Sequence, residues 1–302
     1  MALLDRAIVR VLPAFPRPVV RRLSARYIAG PELADAVTVV RRLNGGGKKA
    51  TLDVLGEEVT TRDAALAIRE EYERAMAAVE DESLDANVSV KLTALGLKVD
   101  PELAAESVRL LARAAAERDR FVRIDMEDSS TTDQTLALYR ELREEGLENV
   151  GLVLQAMLRR TGDDVNELLP LRPNVRVCKG IYVEPAEIAY QGDEAVRFNF
   201  VQAMTALWDG GAKIAVATHD DALVEQALDV IQRRGLGPER YEFQLLLGVR
   251  EELADELARA GHTVRVYVPY GRLWYEYSLR RLQENPRLAG YLARDTLRRL
   301  VP

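Results

Sequence analysis

NVSVKLTALGLKVDPELAAESVRLLARAAAERDRFVRIDME, residues 87–127, decides the fold. It opens on a β-rich run, NVSVKLT (87–93), in which Val88, Val90 and Leu92 alternate with Ser89, Lys91 and Thr93. The two-residue period of a strand puts the first set on one face and the second on the other. Asp100 then offers an N-cap and Pro101 a first helical position, so PELAAESVRLLARAAAE reads as an Ala- and Leu-rich helix. The stretch closes on FVRIDME (121–127), where Val122, Ile124 and Met126 oppose Arg123, Asp125 and Glu127. Strand, helix and strand in succession imply parallel pairing through a crossover.

The unit recurs from residue 50 onward with a period of roughly thirty residues. Further strand candidates are ATLDVLG (50–56), NVGLVLQ (149–155), VRVCKG (175–180), AKIAVATH (212–219), YEFQLLL (241–247) and HTVRVYV (262–268). Together they make eight, the number that closes a (β/α)8 TIM-type barrel. An open doubly wound sheet is the alternative, weakened because no GxGxxG joins a strand to its helix. The 302 residues therefore read as one catalytic barrel, residues 48–302, behind an N-terminal helical arm, residues 1–47.

Residues 1–23 carry a net charge of +4, five arginines against Asp5, with Leu3, Leu4, Ile8, Val11 and Leu12 at helical spacing. Arg6 and Arg10 interrupt the apolar run and no small-residue cleavage site follows, so this is not a signal peptide. Two readings stay open: a helix covering one end of the barrel, or a basic amphipathic contact with a membrane surface.

Composition excludes several chemistries. No apolar run approaches the ~20 residues that span a bilayer. The net charge of -6 argues against a general nucleic-acid binder. A single cysteine, Cys178, rules out an internal disulfide framework and fits a reducing, cytoplasmic setting. Only His219 and His262 are available, too few for a three-histidine zinc site, and no metal site is expected. Aromatics are 6% of the chain, yet Tyr267, Tyr270, Trp274, Tyr275 and Tyr277 crowd into eleven positions.

Strand parity turns Lys91, Arg123, Asp125 and Glu127 to the inner face, and the same reading adds Asp53, Gln155, Glu242, Gln244, Arg265 and Tyr267. Buried charges are costly unless paired, so so many imply a ligand or a dense salt-bridge network. In a barrel the ligand lies at the C-terminal strand ends. Lys91, one of only six lysines, is placed either to bind a carboxylate, to form a Schiff base, or to pair structurally with Asp53 or Asp125. RIDMED (123–128) reads as an arginine and carboxylates that neutralise one another, KGIY (179–182) as a strand-to-helix turn, and NGGGKK (44–49) as a connector without Walker spacing. If WYEYSLRRLQE is helical, Tyr277, Arg280, Arg281 and Glu284 share one side, and paired guanidiniums suit bidentate capture of a carboxylate.

VSVKLTALG, RIDMED, VGLVLQA, VRVCKG, ATHD, YEFQLLLGV and YVPYG followed by YSLRRLQEN, in that order, resemble proline dehydrogenase of the monofunctional bacterial type. The resemblance runs from about residue 27 to the end, with no fused aldehyde dehydrogenase. It implies FAD at the strand C-termini, oxidation of L-proline to Δ1-pyrroline-5-carboxylate by hydride transfer to flavin N5, and a quinone acceptor reached by peripheral membrane contact. At matching positions it implies that Lys91, Arg280 and Arg281 hold the carboxylate, with Glu284 bracing the arginines and Tyr267 and Tyr277 walling the pocket. Asp125 and Arg176 would act at the reacting centre, and Met126, Gln155, Arg176, Lys179, Gly180, Ile181, Thr218 and His219 would hold the flavin. Two readings from other classes stand beside it: a barrel aldolase or lyase using Lys91 or Lys179 as a Schiff base, and a carboxylate sensor built on the arginine pair.

Overall fold

In the computed structural model, which describes residues 26–275 together with Tyr277 and Ser278, each β-rich run becomes a strand of one closed parallel barrel. The order is α1 (Leu33–Gly45), β1 (Lys49–Val54), α2 (Arg62–Asp81), β2 (Ala86–Val90), α3 (Pro101–Ala116), β3 (Val122–Ile124), α4 (Thr132–Glu144) and β4 (Val150–Gln155). It continues with α5 (Thr161–Leu168), β5 (Asn174–Cys178), α6 (Asp193–Asp209), β6 (Lys213–Ala217), α7 (Asp221–Arg234), β7 (Tyr241–Leu246), α8 (Glu251–Arg259) and β8 (Val264–Tyr270). Strand β8 closes on β1, with Tyr267 opposite Thr51 and Pro269 opposite Asp53. The open sheet is thereby excluded, and the (β/α)8 barrel stands.

Helices α2, α3 and α7 start where a short polar side chain caps them. Thr61 Oγ1 accepts from the Ala64 N–H (3.2 Å), Asp100 from Leu103 (3.1 Å) and Asp220 from Ala222 (3.1 Å). Their apolar stripes cover the outward row of the barrel, where Leu52, Val88, Val122, Leu152, Val175 and Ile214 are all at most 1% exposed. Each such aliphatic side chain contributes about 1.5–3 kcal/mol by leaving water. Helix α1 packs against β8 and β1. The Ala29 N–H donates to Pro269 O (2.9 Å) and the Gly271 N–H to Gly30 O (3.0 Å), tying the chain ahead of α1 to the end of β8. NGGGKK ends α1 and leads into β1, a connector as read. The arm's first 25 residues lie outside the described residues.

Strands β2 and β3 each stop three residues earlier than the alternation suggested. After Val90 the chain turns, with the Leu95 N–H donating to Lys91 O (3.2 Å), so Lys91, Leu92 and Thr93 follow β2 instead of extending it. Strand β3 ends at Ile124, although the Asp125 N–H still reaches Val90 O at 2.8 Å and keeps Asp125 in register for one more residue. Both truncations fall at the C-terminal mouth, where backbone leaves the ladder to build loops.

The interior is polar, as parity implied. Gly151 on β4 shows how it is filled: a Cβ there would stand 2.5 Å from Arg123 Nη1 and 2.5 Å from Asn174 O. The glycine leaves room for a guanidinium that is 2% exposed, which donates to Leu152 O (3.0 Å), Asn174 O (2.7 Å) and Asn174 Oδ1 (2.7 Å).

Candidate active site

At the C-terminal mouth the ends of β1, β2, β3, β5 and β8 bring one ionic cluster together. Lys91 Nζ donates to Asp53 Oδ1 (2.5 Å) and to the Tyr267 hydroxyl (2.9 Å), and lies 3.5 Å from Asp125 Oδ2 and 3.6 Å from Glu57. The Tyr267 hydroxyl in turn donates to Asp125 Oδ2 (2.7 Å), while Asp125 Oδ1 accepts from Ser89 Oγ (2.6 Å) and Arg176 Nη1 (2.5 Å). The Tyr267 ring stands beside both cations, its centroid 5.6 Å from Lys91 Nζ and 5.2 Å from Arg176 Cζ. Lys91, Asp125 and Arg176 are buried, and Asp53 completely so.

This geometry settles protonation states. Burial alone would lift the Asp125 carboxyl, but Arg176 and Lys91, helped by Ser89 and Tyr267, hold it at about 2, so it is an anion. Burial would likewise lower Lys91, yet Asp53, Tyr267, Asp125 and Glu57 outweigh that and raise it well above the usual lysine value. Lys91 is therefore a fixed ammonium. A Schiff base needs a neutral amine, so the aldolase reading loses its principal nucleophile. Lys179, the other candidate, is committed to an ion pair with Asp220, which also takes Arg197 Nε at 2.7 Å. Cys178 is pushed up to about 11 by burial, which keeps the thiol protonated and unreactive.

The remaining residues expected near a flavin line the mouth from β3 to β7. Met126, Gln155 and Thr218 are buried, with Gln155 Nε2 donating to Glu127 O at 2.7 Å. Gly180 follows Lys179 just past β5 with φ of 103°, a conformation that favours glycine, and Ile181 beside it is 37% exposed. His219 lies past β6, where its Nε2 accepts the Leu246 N–H at 3.0 Å. Burial and then Arg250 lower its pKa to about 4, so it is neutral, with its proton on Nδ1. His262 is held elsewhere, hydrogen-bonded to Tyr241 (2.8 Å) with its ring centroid 5.5 Å from that of Phe243.

The reading of RIDMED as a self-neutralising group is corrected. Arg123 bonds to none of its carboxylates; it turns down the barrel to Leu152 and Asn174. Asp125 pairs with Arg176 and Lys91, Glu127 accepts from the Thr93 N–H at 2.9 Å, and Asp128 caps Ser130. Arg123, Asp125 and Glu127 share the inward face but stand at successive levels of the barrel, and Asp128 caps the turn beyond β3, a separation that a run of letters hides. Tyr277 lies in the described residues, its N–H bonded to Leu273 O at 3.1 Å, whereas Arg280, Arg281 and Glu284 lie outside them.

Three contributors to the cluster were not singled out by sequence. Ser89 was visible only as an inward position. Tyr72, on α2, donates to Ser89 O (2.7 Å) and stands 3.4 Å from Asp53 Oδ1, but nothing in a helical repeat distinguishes it from an ordinary core tyrosine. Glu57 follows β1 in a loop where periodicity carries no signal. At the opposite mouth a polar cleft is lined by Asp85, Arg120, Arg123, Lys213, Glu242 and Arg265. Its charges are largely matched internally, as by Arg265 Nε on Glu242 Oε1 (3.0 Å), and it lies at the end where barrels keep stability rather than chemistry.

A closed parallel barrel with ammonium, guanidinium and carboxylate groups gathered at its C-terminal mouth defines a (β/α)8 protein with its charged groups at the end where such barrels carry out their chemistry. A proline dehydrogenase family model matches residues 36–294, and the chain belongs to the proline dehydrogenase family, oxidoreductases of proline catabolism. It is 36% identical over 291 residues to proline dehydrogenase 1 of Bacillus subtilis, covering 96% of each chain. Against the proline dehydrogenase of Deinococcus radiodurans the identity is 35% over 280 residues, covering 91% of this chain and 90% of that one. Its fold matches the solved structure of proline utilization A from Bdellovibrio bacteriovorus inactivated by N-propargylglycine, with a TM-score of 0.83 and 22% identity. That match covers 94% of this chain and 37% of the longer protein.

Proposed function

We propose that this protein catalyses FAD-dependent oxidation of L-proline to Δ1-pyrroline-5-carboxylate, with the electrons passed on to a quinone. One observation carries the cofactor reading: Arg176 Nη2 is buried without a hydrogen-bond partner among the described residues, while Nε and Nη1 are both engaged. An orphaned buried donor costs about 1–3 kcal/mol, which an acceptor such as a flavin ring nitrogen relieves. When bound, FAD supplies the two-electron acceptor for the hydride that leaves the carbon next to the ring nitrogen.

The chain's own groups bind and orient. Lys91, with Arg280 and Arg281 braced by Glu284, holds the substrate carboxylate, and Tyr267 and Tyr277 enclose the ring. Asp125 fixes Arg176 and Lys91 relative to one another, and Arg176 would present its positive charge to the bound flavin and so favour the reduced form. Met126, Gln155, Lys179, Gly180, Ile181, Thr218 and His219 hold the cofactor. No helix among the described residues is long and apolar enough to cross a membrane. We place the enzyme in the cytoplasm, meeting the quinone by peripheral contact at the inner face of the membrane.

Purified protein is expected to be yellow, and anaerobic L-proline to bleach the flavin absorbance. Colourless protein that takes up no added FAD, or a borohydride-trapped adduct with a carbonyl substrate, overturns the proposal.

A further inference from the structure

Among the described residues, Arg176 is the guanidinium that links the cluster at the mouth to the middle of the barrel. Its aliphatic stem rises from β5, and its partner in register on β6 is Ala215. Ala215 is small and buried, so the guanidinium crosses over β6 to reach β7. There Arg176 Nε donates to Gln244 Oε1 at 2.5 Å. The other end of the same amide, Gln244 Nε2, donates to Glu242 Oε1 at 2.5 Å, and Glu242 accepts from Arg265 Nε at 3.0 Å. Gln244 and Glu242 are 5% and 6% exposed.

Only one orientation of the Gln244 amide serves both neighbours, because the guanidinium can only donate and the carboxylate can only accept. The oxygen must face Arg176 and the amino group must face Glu242. A planar fork held at Nε by this oxygen and at Nη1 by Asp125 has no rotational freedom left, and its Nη2 is the donor that remains. The choice of amide over carboxylate also has an electrostatic consequence. Asp125 already sets one negative charge against Arg176, and a second from position 244 would cancel the positive field at the mouth. Glu242, the nearest anion below, is neutralised by its own arginine.

We propose that Gln244 is a positioning residue for Arg176, orienting the guanidinium towards the reacting centre while leaving its charge undiminished, with Glu242 and Arg265 fixing the amide from beneath. This deepens the proposed flavin chemistry and rests on it. Gln244 does not touch substrate; it acts through Arg176.

The test uses the flavin-loaded enzyme and two near-isosteric variants, Gln244→Met and Gln244→Glu. Methionine fills the volume without the acceptor, and glutamate keeps an acceptor but adds charge beside Glu242 and Arg176. The flavin midpoint potential is expected to fall in the order wild type, Gln244→Met, Gln244→Glu. The rate constant for anaerobic reduction at saturating L-proline is expected to drop about tenfold in Gln244→Met, or about 1.4 kcal/mol, with proline affinity changed less than threefold by the same measure. Gln244→Asn, whose amide is too short to span both neighbours, is expected to track methionine and not wild type. Equal potentials and equal reduction rates in wild type and Gln244→Met overturn the inference, as does a loss confined to thermal stability or to proline affinity. If Gln244→Met does not fold, the potential of Gln244→Glu decides alone. Wild-type protein that holds no flavin, or is not bleached by proline, instead defeats the reading of function, so the two failures are separable.

Discussion

Asp125→Asn removes one negative charge from the point where the cluster converges while keeping the side chain's shape. In the wild type this carboxylate accepts from Arg176 (2.5 Å), Ser89 (2.6 Å) and Tyr267 (2.7 Å) and faces Lys91 at 3.5 Å. Its pKa falls from the usual 3.8 to about 2, equivalent to roughly 2–3 kcal/mol at about 1.4 kcal/mol per pH unit. Because the folded value lies below the unfolded one, that stabilisation is complete above about pH 4 and drains away as the pH falls towards 2. Removing one partner of a buried pair costs about 3–5 kcal/mol. The asparagine oxygen recovers part of this by accepting from Ser89 and Arg176, but its amino group faces the Lys91 ammonium, which can only donate. The expected loss at pH 7 is therefore about 2–5 kcal/mol, read as the shift in urea midpoint multiplied by the denaturant slope. Repeating the titration at pH 3 should narrow the gap, because the wild-type carboxylate has begun to lose its advantage. Equal stability at pH 7, or a gap that does not shrink with acid, would refute an ionised Asp125 as the keystone between the two cations.

Two further outcomes follow from separate parts of the molecule. Gly151→Ala should destabilise the barrel by about 1–3 kcal/mol, as overpacking does, because the new Cβ would meet Arg123 Nη1 and Asn174 O at 2.5 Å; an unchanged thermal midpoint would mean the interior yields there without strain. Arg281→Ala should raise KM for L-proline by an amount equivalent to about 1.5–3 kcal/mol, the worth of a charged hydrogen bond, with a smaller effect on kcat; an unchanged KM would show that the carboxylate clamp lies elsewhere.

The barrel was legible because it is written twice, in the two-residue alternation of strands and in the outward apolar row that alternation produces. The same alternation placed Lys91, Asp125, Glu242, Gln244, Arg265 and Tyr267 inside, and their mutual contacts bear that out, while Gln155, placed with them, bonds to the Glu127 carbonyl. Where strands end, the signal ends with them. Parity carried through NVSVKLT overran β2 by three residues, and Lys91 still points inward because the turn that follows begins from a strand-like position. Pairing was less legible than facing. Nothing in RIDMED says that Arg123 leaves its neighbours for Asn174, since that choice depends on the space above Gly151, a strand away. Nor does a helix repeat reveal that Tyr72 reaches under Asp53, because its hydroxyl matters only after α2 has docked.

An interior built of ion pairs is not the most stable way to fill a barrel, since well-packed apolar residues of similar volume often do as well or better. What the charged interior provides is order before a ligand arrives. Arg265 neutralises Glu242, Glu242 orients Gln244, Gln244 and Asp125 fix Arg176, and Tyr267 ties Asp125 to Lys91. Each charge at the mouth is desolvated and held during folding, so binding need not reorganise it, and a preorganised cation acts at its full strength when charge develops nearby. The exceptions support the same reasoning. Among the described residues, Arg176 Nη2 is a buried donor left without a partner, on a guanidinium whose Nε and Nη1 are both engaged. An open donor on a cation held at the mouth suits an acceptor from outside the chain, the part the proposed flavin would take.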